Sequence, residues 1–109
     1  MIEDKTNKII NELLNELKGK YPDFRGIYLF GSRARGDFNE YSDYDLAMIF
    51  NRDVDRKLKN EVRSNISRVM IENDIIIDNP FLIYNDIIEP VTPLNENIKN
   101  EGIFYEAAR

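Results

Sequence analysis

The sequence predicts an α/β (α+β) domain, a small mixed β-sheet flanked by helices, and three observations carry that expectation. Apolar residues recur at helical spacing through two long segments, 5–18 and 53–73. Short apolar runs at 26–30, 46–50 and 74–78 read as strands, the first of them apolar on both faces and therefore central. At 109 residues, 42% of them hydrophobic and 11% aromatic, the chain is long enough for one modest core. No repeat, low-complexity segment or linker divides it, so a single domain over 1–109 is expected.

In segment 5–18, Ile9, Ile10, Leu13, Leu14 and Leu17 form one apolar stripe, with Thr6 as a candidate cap and Gly19 as the stop. A connection marked by Pro22 leads to the strand at 26–30. One helical turn is expected over 32–35, ended by Gly36, and 37–42 reads as a polar loop. The strand at 46–50 continues directly from Asp45. The helix over 53–73 carries Val54, Leu58, Val62, Ile66, Val69 and Met70, with Asn51 or Asp53 as candidate caps. It crosses over to a third strand at 74–78, whose neighbour in the sheet this crossover leaves open. After the turn signal Asn79-Pro80, residues 81–84 read as a continuation or a fourth strand, and 85–93 as a connection. Pro93 suits the first turn of a short helix running to residue 100, Gly102 stops it, and Ile103, Phe104 and Tyr105 read as a terminal strand or docked tail.

Composition removes much of enzyme chemistry. Without Cys there is no disulfide, thiolate nucleophile or Cys-ligated zinc; without His there is no Ser-His pair and no imidazole base. No apolar run approaches the roughly 20 residues that span a bilayer, and the charged start Met1-Ile2-Glu3-Asp4-Lys5 does not resemble a signal peptide, so a cytoplasmic, membrane-free protein is expected. A net charge of −5 opposes strong unaided binding to nucleic acid, which relies on Lys and Arg.

Chemistry concentrates in two stretches. Asp43 and Asp45 stand two apart, and in a strand such positions share a face, so their carboxylates would lie side by side. Their repulsion raises a pKa unless a cation sits between them, and a hard oxygen site of this kind suits Mg²⁺ completed by phosphates and water. Upstream, Gly31 permits close backbone approach, and the Ser32 hydroxyl at a strand-to-helix turn suits an anion, although Ser32 also reads as a simple N-cap. Arg33 and Arg35 fit phosphate through their bidentate fork and equally fit ion pairs with Asp37 or Glu40.

Gly31-Ser32, ten residues, then Asp43-Tyr44-Asp45, with Gly-Ser-Arg-Ala-Arg-Gly after the first strand and Glu101-Gly102-Ile103 near the end, resembles the minimal nucleotidyltransferases of the DNA-polymerase-beta-like superfamily. The resemblance covers nearly the whole chain and implies that superfamily's fold. It further implies transfer of a nucleoside monophosphate, AMP from ATP, to a protein hydroxyl. Asp43 and Asp45 would hold Mg²⁺, while Gly31, Ser32, Arg33 and Arg35 would meet the nucleotide. A third acidic residue on the strand after the crossover helix would bind a second metal and help deprotonate the attacking hydroxyl. Asp74 matches it best, and Asp78 is the competitor. On one continuous strand at about 3.3 Å per residue, Asp78 would stand roughly 13 Å beyond Asp74. Larger members carry a second, helical domain, so here a partner is expected to supply part of the site. The resemblance implies a small helical HEPN-type toxin, with this chain as its antitoxin. A fold that neutralises by contact without catalysis, or that senses nucleotide, is the competing reading, and homodimer and heteromer both stay open.

Overall fold

The computed structural model describes residues 2–108. Helix α1, Asp4–Lys20, precedes strand β1, Phe24–Phe30, the single turn α2, Ser32–Arg35, and strand β2, Tyr44–Phe50. The crossover helix α3, Arg56–Asn73, leads to β3, Ile77–Asp78, and β4, Phe81–Ile83, and the chain closes with α4, Tyr84–Ile88, α5, Pro93–Glu101, and β5, Ile103–Glu106.

The sheet is mixed. Among the described residues its strand order is β3-β2-β1-β5, with β1 antiparallel to both β2 and β5, and β2 parallel to β3 and β4. β3 and β4 lie along one edge of β2 as an interrupted strand: Ile77 and Asp78 pair with Tyr44 and Asp45, and Phe81 to Ile83 pair with Met48 to Phe50. Pro80 marks the interruption, and its carbonyl accepts from the Met48 N–H, so the ladder continues across a residue that has no donor.

Both faces are covered, which explains why β2 is apolar nearly throughout. On one face Ile27, Leu29, Leu46, Met48 and Phe50 pack under α1 and α3, against Ile10, Leu13, Leu17, Val62 and Ile66. On the other, Ala47 and Ile49 pack with Ile87 of α4 and Ile98 of α5, bordered by Tyr28, Phe30 and Phe104. Because side chains alternate along a strand, Tyr44 turns into the first layer, and Asp45 and Asp78 point to the opposite side.

Several boundaries depart from expectation for local reasons. α1 begins at Asp4, so Thr6 is already inside it; buried there, its hydroxyl donates to Glu3 Oε1 at 2.8 Å instead of capping. The helix passes through Gly19 and ends at Lys20. For α3 the N-cap is Asp55, whose carboxylate accepts from the Leu58 N–H at 2.8 Å, and neither Asn51 nor Asp53 serves. Tyr84, expected to end the strand segment, and residues 85–88, expected as part of a connection, form α4, which buries Ile87. The largest departure is at 74–78: α3 runs to Asn73, Asp74 is its left-handed C-cap at φ 53°, and the strand starts only at Ile77.

Candidate active site

The site forms where β1 ends against β2 and β3. Phe30 pairs with Asp45, and the next residue, Gly31, takes φ 72° and ψ −156°, a region essentially reserved for glycine. A Cβ at Gly31 would lie 2.1 Å from Asp45 Oδ2, so glycine is required by space as well as by conformation. The turn of α2 follows and closes at Gly36, φ 90°, whose N–H reaches the Ser32 carbonyl at 2.8 Å. Asp45 thus sits against the backbone of the Gly31-Ser32 turn.

Three carboxylates gather around this point. Asp78 is the register partner of Asp45 on the parallel strand, and Asp43 lies two residues before it, just outside β2. The Asp45 carboxyl is raised above its ordinary value, first by burial, then by the negative charges of Asp78 and Asp43, and the Arg35 guanidinium offsets part of this. Asp74 lies elsewhere. Since α3 continues through Asn73, it caps a helix instead of opening a strand, and with Asp43 it borders a groove of about 310 Å³ flanked by Tyr41 and Ile76. The expected level placement of Asp74 with Asp45 therefore fails, while Asp74 shares the groove with Asp43. Asp78 stands beside Asp45 and not a strand's length away.

The donor set suits a hard divalent cation: carboxylate oxygens share excess negative charge beside the Gly31-Ser32 turn. Among the described residues no group of three acidic side chains forms a ready cation cage.

Ser32 opens α2 as its first residue, the cap position being Gly31, and among the described residues its hydroxyl takes no hydrogen-bond partner. The N-cap reading of Ser32 is thereby replaced by a hydroxyl available at the site. Arg33 is corrected further. It is 3% exposed and turned away from Asp45, its guanidinium stacked 3.8 Å from the centre of the Tyr44 ring and ion-paired to Glu3 at 2.5 Å. Neither Asp37 nor Glu40 holds it, and its donors are committed to Glu3 and to the carbonyls of Ser42 and Asn39. Arg35 stays half-exposed, bridging Asp37 at 3.3 Å and Glu101 at 3.8 Å, and its charge reaches Asp45.

That Asp74 caps a helix, leaving Asp78 to pair with Asp45, is readable in principle. The apolar period of α3, continued through Val69 and Met70, carries the helix to Asn73, and aspartate is among the few residues that tolerate the left-handed cap that follows.

A family model described as "Polymerase beta, Nucleotidyltransferase" matches residues 8–104. Among curated proteins, the one named "Putative protein adenylyltransferase MJ1305", from Methanocaldococcus jannaschii, is 38% identical over 79 residues, a stretch covering 72% of this chain and 48% of that protein. The match thus spans about half the length of that relative. Two solved structures share the fold: a chain of a toxin-antitoxin complex with AMP-PNP, at TM-score 0.63 and 22% identity, covering 86% of this chain and 69% of that one. The other is a chain from a complex of a tri-AMPylated Shewanella oneidensis HEPN toxin with an MNT antitoxin, at TM-score 0.58 and 18% identity, covering 91% and 70%.

Proposed function

The chain belongs to the polymerase beta nucleotidyltransferase family, and on that footing we propose that it is a Mg²⁺-dependent transferase that moves AMP from ATP to a hydroxyl of a partner protein. The observation that carries this reading is Asp45 held against the Gly31-Ser32 turn, with Asp78 as its register partner and Asp43 two residues before it. A divalent cation, when bound, would supply positive charge that offsets these carboxylates and the phosphate charge. Asp43 and Asp45 would hold it. The Ser32 hydroxyl donates to a phosphate oxygen, and Arg35, exposed and close enough to act on Asp45, adds a bidentate donor once it leaves Asp37.

Asp78, not Asp74, is the third carboxylate in this scheme. It accepts the proton of the acceptor hydroxyl as that oxygen bonds to the α-phosphorus. The bond from the α-phosphorus to the bridging oxygen breaks in line, and pyrophosphate leaves. No imidazole is called on, consistent with a chain that has none.

The acceptor we assign is a small helical HEPN-type partner, to which this chain acts as antitoxin in the cytoplasm. Support comes from the curated relative's name and from the shared fold with a chain of the HEPN toxin and MNT antitoxin complex. Incubation with ATP labelled at the α-phosphate, Mg²⁺ and a small helical HEPN-type protein should place label on that protein. The double substitution Asp43→Asn and Asp45→Asn should abolish the label without unfolding the chain. Neutralisation of the partner with no label transferred would make this a contact-only antitoxin.

A further inference from the structure

Arg33 has a buried environment that binding a nucleotide does not explain. Its Nε and Nη2 both donate to the Ser42 carbonyl, at 3.2 and 2.9 Å, and Nη2 also reaches the Asn39 carbonyl at 3.3 Å. Its Nη1 donates to Glu3 Oε1 at 2.5 Å, an oxygen that also accepts from Thr6. The guanidinium carbon lies 3.8 Å from the centre of the Tyr44 ring and 4.7 Å from that of Phe38.

The two most telling contacts are on either side of Asp43. The Ser42 carbonyl belongs to the same rigid peptide plane as the Asp43 nitrogen and Cα, so gripping that oxygen with two N–H groups orients the plane from which Asp43 springs. Tyr44, the following residue, is stacked on the same guanidinium. The other hydrogen bonds of this loop are internal: Ser42 N–H to the Asn39 carbonyl, Asn39 N–H to Ser42 Oγ, and Tyr41 N–H to Asn39 Oδ1. They shape the loop without locating it on the sheet. Location comes from two sides: the Tyr44 N–H donates to the Ile76 carbonyl at 2.9 Å, fixing the peptide group after Asp43, and α2 fixes the one before it through the buried Arg33, with the exposed Arg35–Asp37 pair beside it.

We propose that Arg33 is the positioning residue for Asp43, fixing its carboxylate for the divalent cation by holding the peptide group before it and the aromatic ring after it. The proposal rests on the reading of Asp43 as a cation ligand. Lysine cannot replace it, since a single ammonium offers neither two parallel N–H groups to one carbonyl nor a flat face to a ring.

The test is Mn²⁺ binding, read from the loss of the free-ion electron paramagnetic resonance signal with AMP-PNP present, alongside amide hydrogen exchange of the metal-free protein. Arg33→Met and Arg33→Lys should weaken Mn²⁺ binding by about ten- to hundredfold, the usual effect of removing a group that orients a ligand. Both should speed exchange of the amides at 42–44 before any metal is added. Glu3→Gln, which removes the counter-ion and leaves the Ser42 clamp, should lower the melting temperature with Mn²⁺ affinity unchanged. Should Arg33→Met fail to fold, Arg33→Lys carries the comparison. Wild-type Mn²⁺ affinity in a folded Arg33 variant, with affinity lost in Asp43→Asn, would overturn the positioning role and leave the cation reading intact. Unchanged affinity in Asp43→Asn would overturn both.

Discussion

Asp45 is in an environment that works against its own charge, because burial and two neighbouring carboxylates raise its pKa. A carboxyl whose folded pKa lies above its unfolded value stabilises the protein at low pH, and that contribution is lost as pH rises through the raised value. In metal-free buffer, Asp45→Asn should therefore gain stability over wild type as pH climbs from the ordinary aspartate range to neutrality. Urea melts across that window check this; a variant less stable at neutral pH would mean that Asp45 has an unrecognised stabilising partner. Gly31 answers to space instead of charge. Gly31→Ala places a Cβ on Asp45 Oδ2 in a conformation that costs a non-glycine residue about 1–3 kcal/mol, so a stability loss at least that large is expected in the same melts.

The acidic residues at the two ends of the connection after α3 do different work because one ends a helix and the other pairs in a strand. Asp74 holds φ 53° as the cap of α3, a position where glycine is the usual occupant. Asp74→Gly should be neutral or stabilising by up to about 1 kcal/mol and should keep its transfer rate per folded molecule. Asp78→Asn preserves the Asp45 pairing in β3, since that pairing is made by backbone, but removes the charge beside Asp45. Transfer should then fall by about two or more orders of magnitude, the range of a lost general base. Measured rates in the reverse order would return the third carboxylate to Asp74.

At the scale of the whole molecule, the sheet separates scaffold from chemistry. α1 and α3 cover one face without a break, and the second layer, under α4 and α5, covers Ala47 and Ile49 and leaves the ends of β2 and β3 to the carboxylates. Among the described residues no helix is long and apolar enough to cross a membrane. Binding of Mg²⁺ with ATP at a site present only in the folded state should raise stability by about 2.7 kcal/mol when the nucleotide is at a hundred times its Kd. EDTA should remove that gain, as should Asp43→Asn with Asp45→Asn; a gain that survives EDTA would place the nucleotide somewhere other than these carboxylates.

The helices α1 and α3, the apolar strands β1 and β2, the Gly31-Ser32 turn and the Asp43–Asp45 pair are legible in the sequence because each is a local pattern: a 3.6-residue stripe, a short apolar run, a glycine before a turn, two acids at strand spacing. Pairing between elements distant in sequence is not local. Which acid joins Asp45 depends on where α3 stops and how β3 aligns on β2, and a shift of a few residues exchanges Asp74 for Asp78. The same holds for Arg33, whose neighbours in sequence suggest a phosphate ligand, while Glu3, 30 residues earlier, and the Ser42 carbonyl turn it inward. Residue types and spacing thus determined a glycine turn at the end of β1 and an acidic pair at the start of β2. The tertiary structure alone decided which charges meet there, because burial and register are set by the packed sheet.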